Sequence, residues 1–282
     1  MCRHLAYLGP PKSLRELLLD PPHGLYRQSW APRRQRHGTV NADGFGVGWY
    51  AAGDPVPARY RREIPIWNDP SLPDIARVTR SGAVLAAVRS ATPGTAQGAA
   101  AAAPFGAGTW LFSHNGVLRD WQAWRSPPSV MVPAPNGNGE GHLGLPPVDL
   151  TSLEALTDSA LLWALAVRRL RAGAPAGVAL AAVIAEVEAA GGSGRFNFLL
   201  TDGRSLAATA AGDTLCYRRA GGGVTVASEP SDDEPGWADV PDRHLLTAGP
   251  DDVTVRPLGE VIPAPPPAGE QYRHEYEHHP AR

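Results

Sequence analysis

Cysteine is nearly absent from this chain: two residues in 282, Cys2 and Cys216. The start also lacks a charged n-region followed by an apolar h-region, so no secretory signal is expected. Free thiols in a reducing, cytoplasmic setting follow as the expectation. There is no basic excess. Net charge is −2 and the charged fraction 19%, which argues against a nucleic-acid or other polyanion partner. No apolar run reaches the roughly 18 residues that a membrane helix needs. No internal repeat is found. What the chain does have is a normal 43% hydrophobic content, with 31 glycines and 29 prolines. That predicts a substantial core, many turns and long loops.

The pattern alternates between strands and helices in runs. Residues 3–8 read as a first strand, and 12–19 as a short helix stopped by Pro21–Pro22. A basic, aromatic loop, RQSWAPRRQRHG, covers 27–38. NADGFGVGWY (41–50) runs from a glycine-rich turn into a strand. GAVLAAVRSATPG (82–94) and GTWLFSHNGVL (108–118) each read as an apolar strand ending in a polar turn. Residues 126–147 have the composition of a long loop. A helix over TDSALLWALAVRRLRAG follows, with a basic last turn that suits the helix dipole. Its start is ambiguous between a capping box at Thr151-x-x-Glu154 and an N-cap at Asp158. A second helix spans 176–192, ended by glycines. Segments 195–203, 206–219 and 222–230 read as consecutive antiparallel strands, and 244–258 adds one or two more. The tail from Pro263 has a flexible composition. Segregated strands and helices predict an α+β fold, with one domain over 1–262 and a C-terminal tail over 263–282.

Four places carry chemistry. Cys2 stands directly behind the start methionine, and trimming of that methionine gives one residue both a thiol and a free α-amine. With a pKa of roughly 7.7–8.0, the amine can act as general base for its own side chain. Ser113-His114-Asn115-Gly116 ends an apolar strand; an asparagine amide and a glycine N–H suit an oxyanion, although Asn-Gly also makes ordinary hairpin turns. Arg89 ends another apolar strand, where it either clamps a substrate carboxylate or makes a structural ion pair. Asp158 either holds a substrate ammonium or caps its helix.

Taken in order, Cys2, NADGFGVGWY, VRSAT, SHNG, TDSA and ASEP resemble the class II glutamine amidotransferases, the N-terminal nucleophile kind, over residues 2 to about 260. The resemblance implies a four-layer αββα sandwich of two antiparallel sheets. It implies Cys2 as the nucleophile, Asn115 and Gly116 as the oxyanion hole, and a small-molecule γ-glutamyl substrate. Arg89 would hold that group's α-carboxylate and Asp158 its α-ammonium, with Ser90, Thr92 and His114 at the same wall. No metal or organic cofactor is required.

Synthases of this family carry a second domain that uses ammonia, and here no such segment remains. The start MCRHLAYLGPP, the loop SWAPRRQRHGTVNADGFGVGWY and VASEPSDDEPGW resemble most a stand-alone hydrolase branch acting in ergothioneine biosynthesis. The leaving part of that branch's substrate carries a trimethylammonium, a carboxylate, an imidazole and a sulfoxide. Aromatic faces suit the quaternary ammonium, which makes Trp30, Trp121 and Trp124 candidates; Arg33, Arg34 and Arg36 could meet the carboxylate or sulfoxide. The alternatives are a glutaminase subunit feeding a separate synthase, an amidase of glutathione-type peptides, or a non-enzymatic ligand sensor. His4 and His37 read better as structural histidines, and Cys216 as an inert core thiol. Tail residues His274, His278 and His279 give only a weak metal pattern. Asp43 with Gly44, Gly46 and Gly48 shapes a turn; GFGVG is no dinucleotide fingerprint, since no helix pattern follows it.

Overall fold

The computed structural model describes residues 2–92, 94–122, 153–249 and 251–261. The expected loop at 126–147 and the tail from 263 lie outside them. In chain order, β1 (Arg3–Ser13) leads into α1 (Leu14–Leu18) and α2 (Leu25–Gln28). Then come β2 (Phe45–Trp49), β3 (Ala58–Arg62), α3 (Leu72–Val78) and β4 (Arg80–Val88), followed by β5 (Phe105–Ala107) and β6 (Trp110–Leu118). Two longer helices, α4 (Asp158–Arg171) and α5 (Ala176–Ala189), precede β7 (Gly194–Thr201) and β8 (Leu206–Ala210). The chain closes with β9 (Cys216–Ala220), β10 (Gly223–Ala227), β11 (Ala238–Asp239), β12 (His244–Ala248), β13 (Val253–Pro257) and α6 (Leu258–Val261).

Two sheets result. One runs β11-β9-β10-β1-β4-β2-β3 and the other β13-β12-β8-β7-β6-β5, every pairing antiparallel. Period-2 alternation explains their stacking. In β1, Ala6 and Leu8 pack with Leu85, Leu199, Ala208 and Leu246 between the sheets. Leu5 and Tyr7 face the other way, onto Leu14, Leu17 and Leu18 of α1 and Leu72 of α3. In β6, Phe112 and Leu118 face Leu161, Leu165 and Ile184 of α4 and α5. The order is helices, sheet, sheet, helices: the α+β, αββα sandwich expected.

Several local expectations shift. The first strand extends to Ser13, whose side chain and Glu16 form a capping box that starts α1 late. The basic loop opens with the helical turn α2. β3 and α3 lie between 51 and 81, where the sequence pattern predicts no element. Segment 206–219 is not one strand: the chain crosses from one sheet to the other between β8 and β9, and Gly212 has φ +97° there. Thr157 caps α4, accepting from Ala160 N at 3.1 Å; Asp158 is the first helical residue, and Thr151 lies outside the described residues. Among the described residues no helix is long and apolar enough to cross a membrane.

The layer between the sheets is the one that both halves depend on. Leu246 is fully buried there. Leu246→Ala should lower unfolding free energy by about 2–5 kcal/mol, read as a lower urea midpoint at unchanged slope.

Candidate functional site

The register of β1 fixes the site. Arg3 pairs with Val88 of β4, so Cys2 falls where β4 runs out into Arg89 and Ser90. The Cys2 thiol is half-buried and lies 3.9 Å from the Ser90 carbonyl. On the other side Leu5 pairs with Ala227 of β10, and Ser228 N donates to the His4 carbonyl at 3.0 Å. Ser228 Oγ accepts from His4 N at 3.0 Å and from Asn115 Nδ2 at 3.4 Å. One hydroxyl thus joins the nucleophile's strand to β6.

Asp43 holds the segment after β4, its N–H donating to Arg89 O and its carboxylate accepting from Ala91 N at 2.7 Å. The expectation that Asp43 shapes a turn fits this. The Arg89 side chain is 6% exposed. It donates to the Asp43 carbonyl, the Ala96 carbonyl and Thr95 Oγ1 at 3.3, 2.9 and 3.1 Å. Those acceptors are neutral. Among the described residues no carboxylate pairs with Arg89, so its charge is oriented but not neutralised.

Asp158 is the counterpart. Its carboxylate accepts from Leu118 N at 3.0 Å and Ser159 N at 2.8 Å, inside the first turn of α4, where the helix dipole favours an anion. It too has no ion-pair partner among the described residues. A lone buried cation and a lone buried anion therefore face one space. An α-amino-acid head, with carboxylate and ammonium on one carbon, is the matching ligand class.

Gly116 and Asn115 sit on successive faces of β6. Gly116 pairs with Phe196 of β7, but Phe196 N donates to Ala211 O, away from β6. The pair is of the non-hydrogen-bonded kind, so Gly116 N–H points away from β7, at the edge where β5 has ended. A Cβ at Gly116 would lie 1.9 Å from the Arg195 carbonyl, so only glycine fits. Asn115 is fully buried with its Oδ1 unbonded among the described residues. Its Nδ2 keeps one N–H beyond the Ser228 contact.

Cys2, Arg89, Ser90, Thr92, His114, Gly116 and Asp158 line one open cleft. Thr95, Thr157, Ser159 and Phe105 are among its other lining residues; their residue types give no sign of this in the sequence. His114 backs the wall. Its Nε2–H donates to Arg195 O at 2.9 Å, and its Nδ1 lies 3.0 Å from Ser159 Oγ. Burial lowers its pKa, opposed by the nearby Asp158. His4, against Ser113 Oγ at 3.1 Å, is held well below the ordinary value by burial, then by Arg3 and His114.

Trp30 and Arg33, expected to meet the leaving group, have partners of their own. Trp30 stands edge-on to Tyr26 and Trp67, with Arg27 over its ring. Arg33 pairs with Asp233 at 2.7 Å and Arg34 with Asp239 at 2.5 Å. Neither Trp30 nor Arg33 lines the cleft around Cys2. Trp121, read as a loop residue, is 1% exposed inside the helix-side core. Trp124 and the tail histidines are outside the described residues. Cys216 is buried, its thiol pKa raised by burial. In sequence Glu229 stands only as part of ASEP. It is 1% exposed and accepts from Arg33 N and Arg34 N at 2.9 and 2.8 Å. No group of three His, Cys, Asp or Glu among the described residues is placed to hold a metal ion.

Buried histidines make stability depend on pH. Unfolded, they titrate near pH 6.5; folded, they titrate lower. Below about 6.5 the unfolded chain binds protons that the folded one refuses, so stability falls as pH drops through that value towards the folded pKa. Urea midpoints should decline between about pH 7.5 and pH 5, above the ordinary carboxylate range, and His114→Gln should flatten that decline.

Comparison with known proteins gives a consistent set of relatives. The family described as "Glutamine amidotransferases class-II" matches residues 25–222. The gamma-glutamyl-hercynylcysteine sulfoxide hydrolase of Mycolicibacterium smegmatis is 44% identical over 259 residues, covering 92% of this chain and 100% of that one. Its Mycobacterium tuberculosis counterpart is 41% identical over 259 residues, covering 92% and 97%. Among solved structures, the glutamine aminotransferase class-II domain protein from Silicibacter pomeroyi superposes with a TM-score of 0.62 at 27% identity, covering 91% of this chain and 99% of that one. The glutamine phosphoribosylpyrophosphate amidotransferase of B. subtilis shares the fold, with a TM-score of 0.56 at 13% identity over 91% of this chain and 49% of that one.

Proposed function

The chain belongs to the class II glutamine amidotransferases, and on that premise we propose that it hydrolyses the γ-glutamyl amide of γ-glutamyl-hercynylcysteine sulfoxide, releasing glutamate. The observation that carries this reading is one cleft that holds a thiol, an unneutralised Arg89 and an unneutralised Asp158. The names of the two relatives at 41–44% identity over nearly their whole length select the leaving group. The step belongs to ergothioneine biosynthesis, the branch that the start, the basic loop and VASEPSDDEPGW resemble.

Removal of Met1 frees the Cys2 α-amine. The amine takes the thiol proton, and the thiolate attacks the γ-carbonyl carbon. The oxygen becomes an oxyanion, met by the spare N–H of Asn115 Nδ2 and by Gly116 N–H. Arg89 pairs with the substrate α-carboxylate and Asp158 with its α-ammonium, fixing the γ-carbonyl over the thiol. Collapse expels the amine, which takes the proton from the Cys2 ammonium. A γ-glutamyl thioester remains. The neutral amine then takes a proton from water, whose oxygen attacks the thioester; glutamate leaves and the thiol is restored.

Three outcomes are expected. Offered γ-glutamyl-hercynylcysteine sulfoxide, glutamine and glutathione side by side, the protein should release glutamate fastest from the sulfoxide; a preference for glutamine or glutathione would reassign the leaving group. Cys2→Ala should abolish turnover with an unchanged melting temperature, and so should blocking Met1 removal. Arg89→Lys keeps the charge and loses the two-pronged fork, so KM should rise about tenfold, or about 1.4 kcal/mol, with a smaller change in kcat.

A further inference from the structure

Arg3 and Glu229 are buried charges that the mechanism above does not use. Arg3 follows the nucleophile and is fully buried. Its Nε donates to the Cys2 carbonyl at 2.9 Å. Its Nη1 lies 3.8 Å from Glu229 Oε2, and neither Nη1 nor Nη2 has a hydrogen-bond partner among the described residues. A buried ion pair this loosely bonded is a poor stabiliser, so stability alone does not explain it. Glu229, 1% exposed, spends its carboxylate on Arg33 N and Arg34 N. A continuous chain of contacts thus leads from the backbone of the basic loop, through Glu229 and Arg3, to the carbonyl of Cys2.

An N-terminal residue has special need of such a hold. With Met1 gone, no peptide precedes Cys2, and among the described residues its carbonyl carries the short hydrogen bond, from Arg3 Nε, beside the longer thiol contact to Ser90 O. Rotation about the Arg3 N–Cα bond swings the Cys2–Arg3 peptide, and amine and thiol with it, relative to Ser90 and Gly116. The Arg3 Nε bond restrains that rotation. The loop at the far end of the relay has two roots at the site. One is Glu229 with Arg33 and Arg34; the other is Asp43, which binds Arg89 and Ala91.

We propose that Arg3 and Glu229 are positioning residues, a buried relay that ties the orientation of Cys2 to the backbone of the basic loop at residues 33–34. The proposal rests on Cys2 being the nucleophile of the reaction proposed above. Its chief test needs no substrate: the rate at which iodoacetamide alkylates Cys2 in the full chain, with the site confirmed by peptide mass. The variants are Arg3→Met, Glu229→Gln and the double variant. The double variant buries no lone charge, so it keeps the test available if a single variant fails to fold.

Expected is a drop of about tenfold or more in Cys2 alkylation rate and in kcat for the best substrate, with KM changed less than about twofold and the melting temperature of the double variant near that of the parent. The double variant should be no slower than the slower single one. Trypsin should cut after Arg33, Arg34 or Arg36 faster whenever Glu229 is replaced. A folded double variant with the parent's alkylation rate overturns the proposal. Additive single effects, or unchanged trypsin cleavage, overturn the coupling to the loop. A parent that alkylates normally but releases no glutamate refutes the proposed reaction instead, and the alkylation comparison still decides the relay.

Discussion

Everything at the site depends on the register of β1 between β4 and β10. A strand pairs its side chains with period 2, so a slip of one residue exchanges the two faces. The pairing of Arg3 with Val88 sets Cys2 beside Arg89 and Ser90, and that of Leu5 with Ala227 sets His4 beside Ser228. The same register sends Ala6 and Leu8 between the sheets and Leu5 and Tyr7 towards the helices. Burial on both faces makes any other register costly. The hydrophobic core is thus what places the thiol.

The second constraint is polar. Asp158, His114, Asn115, Arg89 and Arg3 are all nearly or fully buried. Burying such groups is tolerated when hydrogen bonds satisfy them. Asp158 and His114 meet that condition, on Leu118 N, Arg195 O and Ser159. Among the described residues Arg89 and Asp158 are bonded but not charge-balanced, and Asn115 keeps donor capacity. What the fold leaves incomplete is what a γ-glutamyl group would complete. Preorganisation of this kind lets binding energy serve orientation rather than ordering of side chains.

The residues that line the cleft sit in short motifs: Cys2 before β1, VRSAT where β4 ends, and SHNG inside β6 rather than in the turn expected after the strand. Each such motif is local, and so is its reading. Contacts between distant segments left no local trace. The crossing between sheets at 211–215 looks like one continued strand, since both halves are apolar and the break is a short turn. The helix start, read as a box at Thr151 or a cap at Asp158, falls at Thr157, and only the bond from Ala160 N reveals it. Trp121 reads as a loop aromatic because its core partners on α4 and α5 are remote. Arg33 and Arg34 look free in sequence, while Asp233 and Asp239, far along the chain, engage them. Glu229 shows no role until its two backbone donors are seen.

The central claim is that Cys2, exposed as the first residue, carries the γ-glutamyl group during turnover. The most direct measurement is the mass of the N-terminal peptide after acid quench in the presence of substrate. The account predicts a peptide that begins at Cys2 and bears a γ-glutamyl thioester, lost on further incubation. A peptide that still begins at Met1 in an enzyme that turns over, or an acyl group found on any other residue, would contradict it.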